Sequence, residues 1–211
     1  RFGEALPEVR VSLPSVSAAD ADRTIADRLS IPGIRTPLAA LSLPGSPPFD
    51  RTRAQQAGRY LIGELIGEGG MGRVVAAEDQ SLGRVVAMKS LLPDHAGNDA
   101  YVQALASEAA IAALLEHPGI VPVYEVGTLP DGTFYYTMKQ VHGNLLHEIL
   151  EGLKSERPRY AETYTLTKLL QYFRGICMAI HYAHDSGVIH RDLKPENIVI
   201  GSYEEVHVLD W

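Results

Sequence analysis

Three glycines, Gly67, Gly69 and Gly72, form a G-x-G-x-x-G pattern between two short β-branched runs, YLIGELIG before and GRVVAAEDQ after. A dinucleotide-binding fold needs a helix directly after such glycines, because the helix N-terminus receives the pyrophosphate. A strand pattern follows here, so that fold is disfavoured. Glycines between two antiparallel strands make instead a loop whose backbone can lie close over phosphates and offer its N–H groups. Taken alone, a ligand-free Gly-rich hairpin turn is the competing reading.

The neighbouring pattern extends this arrangement. GRVVAMKSLL reads as a third strand. NDAYVQALASEAAIAALLE, Asn98 to Glu116, reads as a helix that Asn98 or Asp99 can cap and His117-Pro118 ends. GIVPVYEVGTLPDGTFYYTMKQV reads as two strands joined by a turn at Pro130-Asp131-Gly132. The order β-β-β-α-β-β predicts a five-stranded antiparallel sheet carrying one helix. After it the pattern turns helical. NLLHEILEGL is a short helix. TLTKLLQYFRGICMAIHYAHDSG places Leu166, Leu169, Leu170, Phe173, Ile176, Cys177, Ile180 and Ala183 at the 3–4 spacing of a core-facing stripe, with Gly187 as its stop. Cys177 is expected to be a core thiol. The class is α+β.

Within this frame, strand alternation puts Lys89 on the face that carries Val85 and Ala87. A lysine on an apolar face needs an anionic partner or a phosphate, unless it snorkels to the surface. Glu108 lies at helical spacing from Leu105, Ile111, Ala112 and Leu115, on the inward stripe, so an ion pair with Lys89 is expected. The closing stretch HRDLKPENIVIGSYEEVHVLDW sets Asp192 after His190-Arg191, Asn197 five residues later and Asp210 thirteen after that. This is the order H-R-D-L-x-x-x-N, then D-W where D-F-G is usual.

Composition narrows the class. The formal net charge is -7, and residues 59–211 carry twelve Lys/Arg against twenty acids, which argues against a nucleic-acid partner. One cysteine allows no intrachain disulfide. No apolar run approaches the ~18 residues of a membrane span, and no signal peptide is visible. A cytoplasmic location is expected, although the stretch begins on Arg1 rather than Met and absent signals weigh little. Residues 1–58 hold seven of the thirteen prolines and two of the aromatics, Phe2 and Phe49, and read as a disordered tail or linker. Ala18 to Ser30 has the composition of one short helix, against the competing reading of a solvated linker throughout.

These motifs together resemble the eukaryotic-type (Hanks-type) serine/threonine protein kinases, most closely their bacterial branch. The resemblance covers 59–211 and implies a protein-kinase-like fold: an N-lobe over 59–141 and the first part of a mainly helical C-lobe over 142–211. It implies ATP and Mg²⁺, and a protein substrate with Ser/Thr hydroxyls. In its terms Gly67, Glu68, Gly69, Gly70 and Gly72 cover the phosphates. Lys89 contacts the α/β-phosphates and Glu108 orients it. Val74 and Ala87 enclose the adenine, Met138 is the gatekeeper, and Lys139 to Val141 form the hinge, with Lys139 where Glu is frequent. Asp192 accepts the substrate proton, Lys194 neutralises the phosphoryl group, and Asn197 and Asp210 hold Mg²⁺. The family reading of His190 is structural, packing beside Trp211. The stretch ends before the family's activation loop and later helices, so in isolation little or no phosphotransfer is expected of it. The alternative is a non-catalytic nucleotide-binding or scaffold module. Oligomeric state is not legible.

Overall fold

The computed structural model describes residues 49–211. The Ala18–Ser30 stretch, and everything else through residue 48, lies outside the described residues. An antiparallel sheet forms from β1 (Gln55–Ala57), β2 (Tyr60–Glu68), β3 (Gly72–Asp79), β4 (Arg84–Leu91), β5 (Val123–Thr128) and β6 (Phe134–Met138), in the order β1-β2-β3-β4-β6-β5. The sheet thus has six strands rather than the expected five. The extra strand, β1, falls in the segment read as linker. QQA carries no β-branched or aromatic residue, so it has no strand signature of its own. Pairing holds it: Gln55 faces Ile62 and Ala57 faces Tyr60 across a turn in which Gly58 has φ +61. Arg51 forms an ion pair with Glu78 on β3, and the Phe49 ring covers Gly63, where a Cβ would come within 2.5 Å of it.

Helix α1 (Asp99–Leu114) begins where the Asn98 side chain accepts the Ala100 N–H at 3.0 Å. Its buried residues Leu105, Ala109 and Ala112 recur every three to four positions. Leu105 and Ala109 pack with Leu91 and Tyr136 against the sheet. Burying a leucine such as Leu105 stabilises by about 2 kcal/mol. The β5–β6 turn closes as expected. Gly132 has φ +88, and Asp131 Oδ1 accepts the Thr133 N–H at 2.9 Å.

The second part contains β7 (Gly143–Leu145), α2 (Leu146–Lys154), α3 (Pro158–Thr163), α4 (Leu166–Asp185), a 3₁₀ turn at Pro195–Asn197, β8 (Ile198–Gly201) and β9 (Val206–Val208). β8 pairs with β7 on one side and β9 on the other in a three-stranded sheet, β7-β8-β9. Gly187, with φ +75, follows α4 as its stop. The buried side of α4 is Tyr172, Ile176, Ala179 and Ala183. Leu166, Leu170, Phe173 and Cys177 are exposed, so the expected stripe is half right and Cys177 is no core thiol. Apolar residues cover more than one face of α4, and packing decides which face is buried. Ala179 Cβ sits 3.2 Å from where a Cβ on Gly119 would lie, a proximity that a leucine could not match. Leu115, Ile120, Ala179, Ala183 and Val208 form the cluster that joins α1, α4 and β9. No helix among the described residues is long and apolar enough to cross a membrane.

Candidate active site

The glycine loop connects β2 to β3 and closes by a Gly69 N–H to Gly72 carbonyl hydrogen bond of 2.9 Å. A Cβ added at Gly67, Gly69 or Gly70 would meet nothing within 4 Å, so the loop borders open space. Gly72 differs. A Cβ there would stand 2.5 Å from the Ser90 carbonyl oxygen, because β3 lies tightly on β4.

The β3–β4 register sets Val74 opposite Lys89 and Ala76 opposite Ala87, and the β4–β6 register sets Ala87 opposite Met138. Val74, Ala87, Lys89 and Met138 therefore share one sheet face. Lys89 Nζ donates to Glu108 Oε1 at 2.5 Å and to Asp210 Oδ1 at 2.9 Å. The side chains of Lys89 and Glu108 are only 13% and 12% exposed. Burial by itself would lower the Lys89 pKa, but the carboxylates of Asp210 and Glu108 more than offset it, and the ammonium is held above its ordinary range. The expected Lys89–Glu108 pair is present, and Asp210 joins it from 121 positions away.

Asp192, Lys194 and Asn197 form a second group. Lys194 Nζ donates to Asp192 Oδ2 at 2.7 Å, and Asn197 Nδ2 donates to the Asp192 carbonyl at 2.9 Å and to Oδ2 at 3.3 Å. The hydrogen bond from Lys194 holds the Asp192 carboxyl below its usual range, so it stays ionised. Asn197 is buried and spends its amide N–H groups on Asp192, which leaves its Oδ1 as an acceptor.

The two groups are bound together through the backbone. The Leu209 N–H donates to the Asn197 carbonyl at 2.8 Å, and the His190 ring pairs with the Leu209 carbonyl through Nε2 at 2.8 Å. His190 Nδ1 faces the Asp192 N–H at 3.4 Å, so Nε2 carries the proton in the tautomer that this network assigns. The ring packs 4.9 Å from Trp211, and Trp211 Nε1 donates to the Val208 carbonyl at 3.2 Å. His190 is thus a buried brace rather than a group facing the cleft. Asp210 and Arg191 have φ of 56 and 65, a left-handed backbone that few non-glycine residues adopt.

Three contacts are absent from the expectations drawn from the sequence. The Tyr136 hydroxyl donates to Glu108 Oε1 at 2.6 Å. Strand alternation, which puts Tyr136 on the Met138 face, is the signal that could have found it. In the stretch expected as the hinge, the Lys139 N–H donates to the Pro122 carbonyl at 3.1 Å, while Lys139 Nζ lies 3.5 Å from His207 Nε2.

A family model described as "Protein kinase domain" matches residues 60–211. The chain is 43% identical over 157 residues to serine/threonine-protein kinase PknD of Chlamydia trachomatis serovar D, a match covering 72% of this chain and 17% of that protein. It is 41% identical over 156 residues to PknD of Chlamydia pneumoniae, with the same shares. It therefore spans about one sixth of the length of these curated relatives. Among solved structures, "PpkA-294 apo form" superposes with a TM-score of 0.61 at 26% identity, covering 78% of this chain and 61% of that one. The Mycobacterium tuberculosis PknI kinase domain gives 0.56 at 24% identity, covering 75% and 60%, a likeness of fold. With its glycine loop, its Lys89–Glu108 pair and its closing acid–amide–acid set, this chain belongs to the protein kinase family, as a catalytic domain of the eukaryotic-type bacterial serine/threonine branch.

Proposed function

We propose that this domain transfers the γ-phosphoryl group of ATP to serine or threonine hydroxyls of a protein substrate. The observation that carries the reading is the convergence of Lys89, Glu108 and Asp210 beside the linked Asp192–Lys194–Asn197 group. Gly67, Glu68, Gly69, Gly70 and Gly72 cover the phosphates with backbone N–H groups. Lys89, kept charged by its two acids, meets the α/β-phosphates, and Glu108 sets its direction. Val74, Ala87 and Met138 enclose the adenine from the sheet face they share. The hinge reads the adenine edge with the Lys139 carbonyl and the main chain of Val141, since the Lys139 N–H is already committed to Pro122.

Asp192, ionised and held by Asn197, takes the hydroxyl proton as the substrate oxygen attacks phosphorus. Lys194 stands on Asp192 Oδ2 and balances the charge of the phosphoryl group in transfer. Asn197 Oδ1 and the free oxygen of Asp210 are hard donors that would hold a divalent cation. Kinases as a family use ATP with a divalent metal, and this all-oxygen pair favours Mg²⁺. Bound there, such a cation would neutralise charge on the phosphates. We infer a cytoplasmic location, where ATP is available.

The test is phosphate transfer from γ-labelled ATP to a protein acceptor by the full-length protein. Asp192→Asn and Lys89→Met are each expected to lower kcat by at least about 10²-fold. Wild-type protein that binds ATP without labelling itself or any acceptor would favour the non-catalytic module.

A further inference from the structure

Tyr136 belongs to no role described above, yet it touches the centre of the site. It lies on β6 directly opposite Lys89 on β4, so both side chains rise from the same sheet face. Both end on one atom: Glu108 Oε1 accepts Lys89 Nζ at 2.5 Å and the Tyr136 hydroxyl at 2.6 Å. The tyrosine is 3% exposed, and its ring packs with Leu105 and Ala109, which flank Glu108 on α1. Its hydroxyl therefore reaches from the sheet to the helix beside Lys89.

The two donors are not equivalent. Lys89 divides its hydrogen bonds between Glu108 and Asp210, two acids on different elements. Tyr136 donates to Glu108 alone. Burial and the adjacent Glu108 charge push the Tyr136 pKa far up, so the hydroxyl remains a donor at any working pH. A carboxylate held by a rigid phenol keeps its place when the lysine leans towards Asp210. A carboxylate held only by a flexible lysine would follow the lysine or turn away.

We infer that Tyr136 is a positioning residue for nucleotide binding, fixing Glu108, and through it α1 and Lys89, in the phosphate-binding arrangement before ATP arrives. This rests on the proposed role of Lys89 at the phosphates. The simpler reading is that a buried hydroxyl needs an acceptor and Glu108 happens to supply one. The two differ in what they predict for ATP affinity.

The test measures ATP binding to the full-length protein by calorimetry, whose stoichiometry separates the folded fraction from the affinity. Tyr136→Phe keeps the ring and removes the hydroxyl. The expected result is a Kd for ATP about fivefold weaker, the size of one ordinary hydrogen bond, at unchanged stoichiometry. In a Glu108→Ala background the same substitution should leave Kd unchanged, because the group it acts through is gone. Tyr136→Leu, which also lacks the hydroxyl, should repeat the weakening. Wild-type Kd in either folded single variant overturns the inference, as does equal weakening in both backgrounds. Wild-type protein that fails to bind ATP overturns this inference and the proposed function together. Wild-type protein that binds ATP but transfers no phosphate overturns the kinase activity alone, and the affinity test still decides the role of Tyr136.

Discussion

Replacing His190 with phenylalanine separates a brace from a catalytic base. The ring is 7% exposed and makes two polar contacts, to the Leu209 carbonyl at 2.8 Å and to the Asp192 N–H at 3.4 Å. Phenylalanine retains the packing on Trp211 but leaves the Leu209 carbonyl unpaired, a loss of about 1–3 kcal/mol. The second contact is long and adds little, so the expected cost is about 2 kcal/mol. For an ordered region of this size, that lowers Tm by roughly 4–8 °C. Leu209 precedes Asp210, and His190 stands two residues before Asp192, so the lost bond loosens both acids. A displacement of order 1 Å at a reacting group costs up to about 10²-fold, and kcat should fall about 10- to 100-fold. His190→Gln carries an N–H donor of similar reach and should recover most of both losses. The assays are thermal melting and steady-state phosphotransfer in the full-length protein. A His190→Phe variant melting within about 1 °C of wild type, or a glutamine variant no better than phenylalanine, would refute the bracing argument.

Other outcomes are equally specific. Gly72→Ala should destabilise by about 1–3 kcal/mol, because its Cβ meets the Ser90 carbonyl and backbone must move. Gly69→Ala, whose Cβ meets nothing, should leave Tm unchanged and weaken ATP binding instead. Burial, then the nearby Lys139 charge, depresses the His207 pKa, so the unfolded chain takes up a proton more readily than the folded one. Its contribution to stability is therefore complete above the unfolded value of about 6.5 and is lost as pH falls below it. Denaturant midpoints from pH 7.5 to 5 should drop less in His207→Gln than in wild type. A chain of residues 59–211 should be about 2 kcal/mol less stable than one of residues 49–211, since removing Arg51 leaves the nearly buried Glu78 without its partner. Equal melting temperatures of the two would return β1 to the status of linker.

Much of this site was legible because its chemistry forces residue types that are rare elsewhere. A lysine on an apolar strand face and a glutamate on an inward helix stripe each demand a partner, and they find one another at 2.5 Å. The spacing from Asp192 to Asn197 is local, one 3₁₀ turn, so its geometry follows from sequence distance. What stayed hidden depends on choices that packing makes between equal candidates. On α4 the expected stripe correctly buries Ile176 and Ala183, but only packing, with Gly119 close against Ala179, decides that Ala179 goes inward while Leu166, Leu170 and Phe173 stay exposed. β1 lacks any strand residues and exists because β2 presents an open edge to pair with. Tyr136 reads as an ordinary aromatic strand residue until the register sets it opposite Lys89.

The strained backbone explains why these hidden contacts matter. Arg191 and Asp210, each adjacent to or part of the acid set, adopt left-handed φ without being glycine, at about 1–2 kcal/mol apiece. Such conformations persist only where surrounding bonds over-determine them. Here those bonds are His190 to the Leu209 carbonyl, the Leu209 N–H to Asn197, and Trp211 Nε1 to the Val208 carbonyl. At about 1 kcal/mol each, they are together of the same size as the strain. The acids are therefore held by a frame that roughly balances the strain it contains. Loss of one bond in that frame should release Asp210 first. Asp210 is the more exposed partner of Lys89, and once it is free, Tyr136 and Glu108 are what keep the lysine in place.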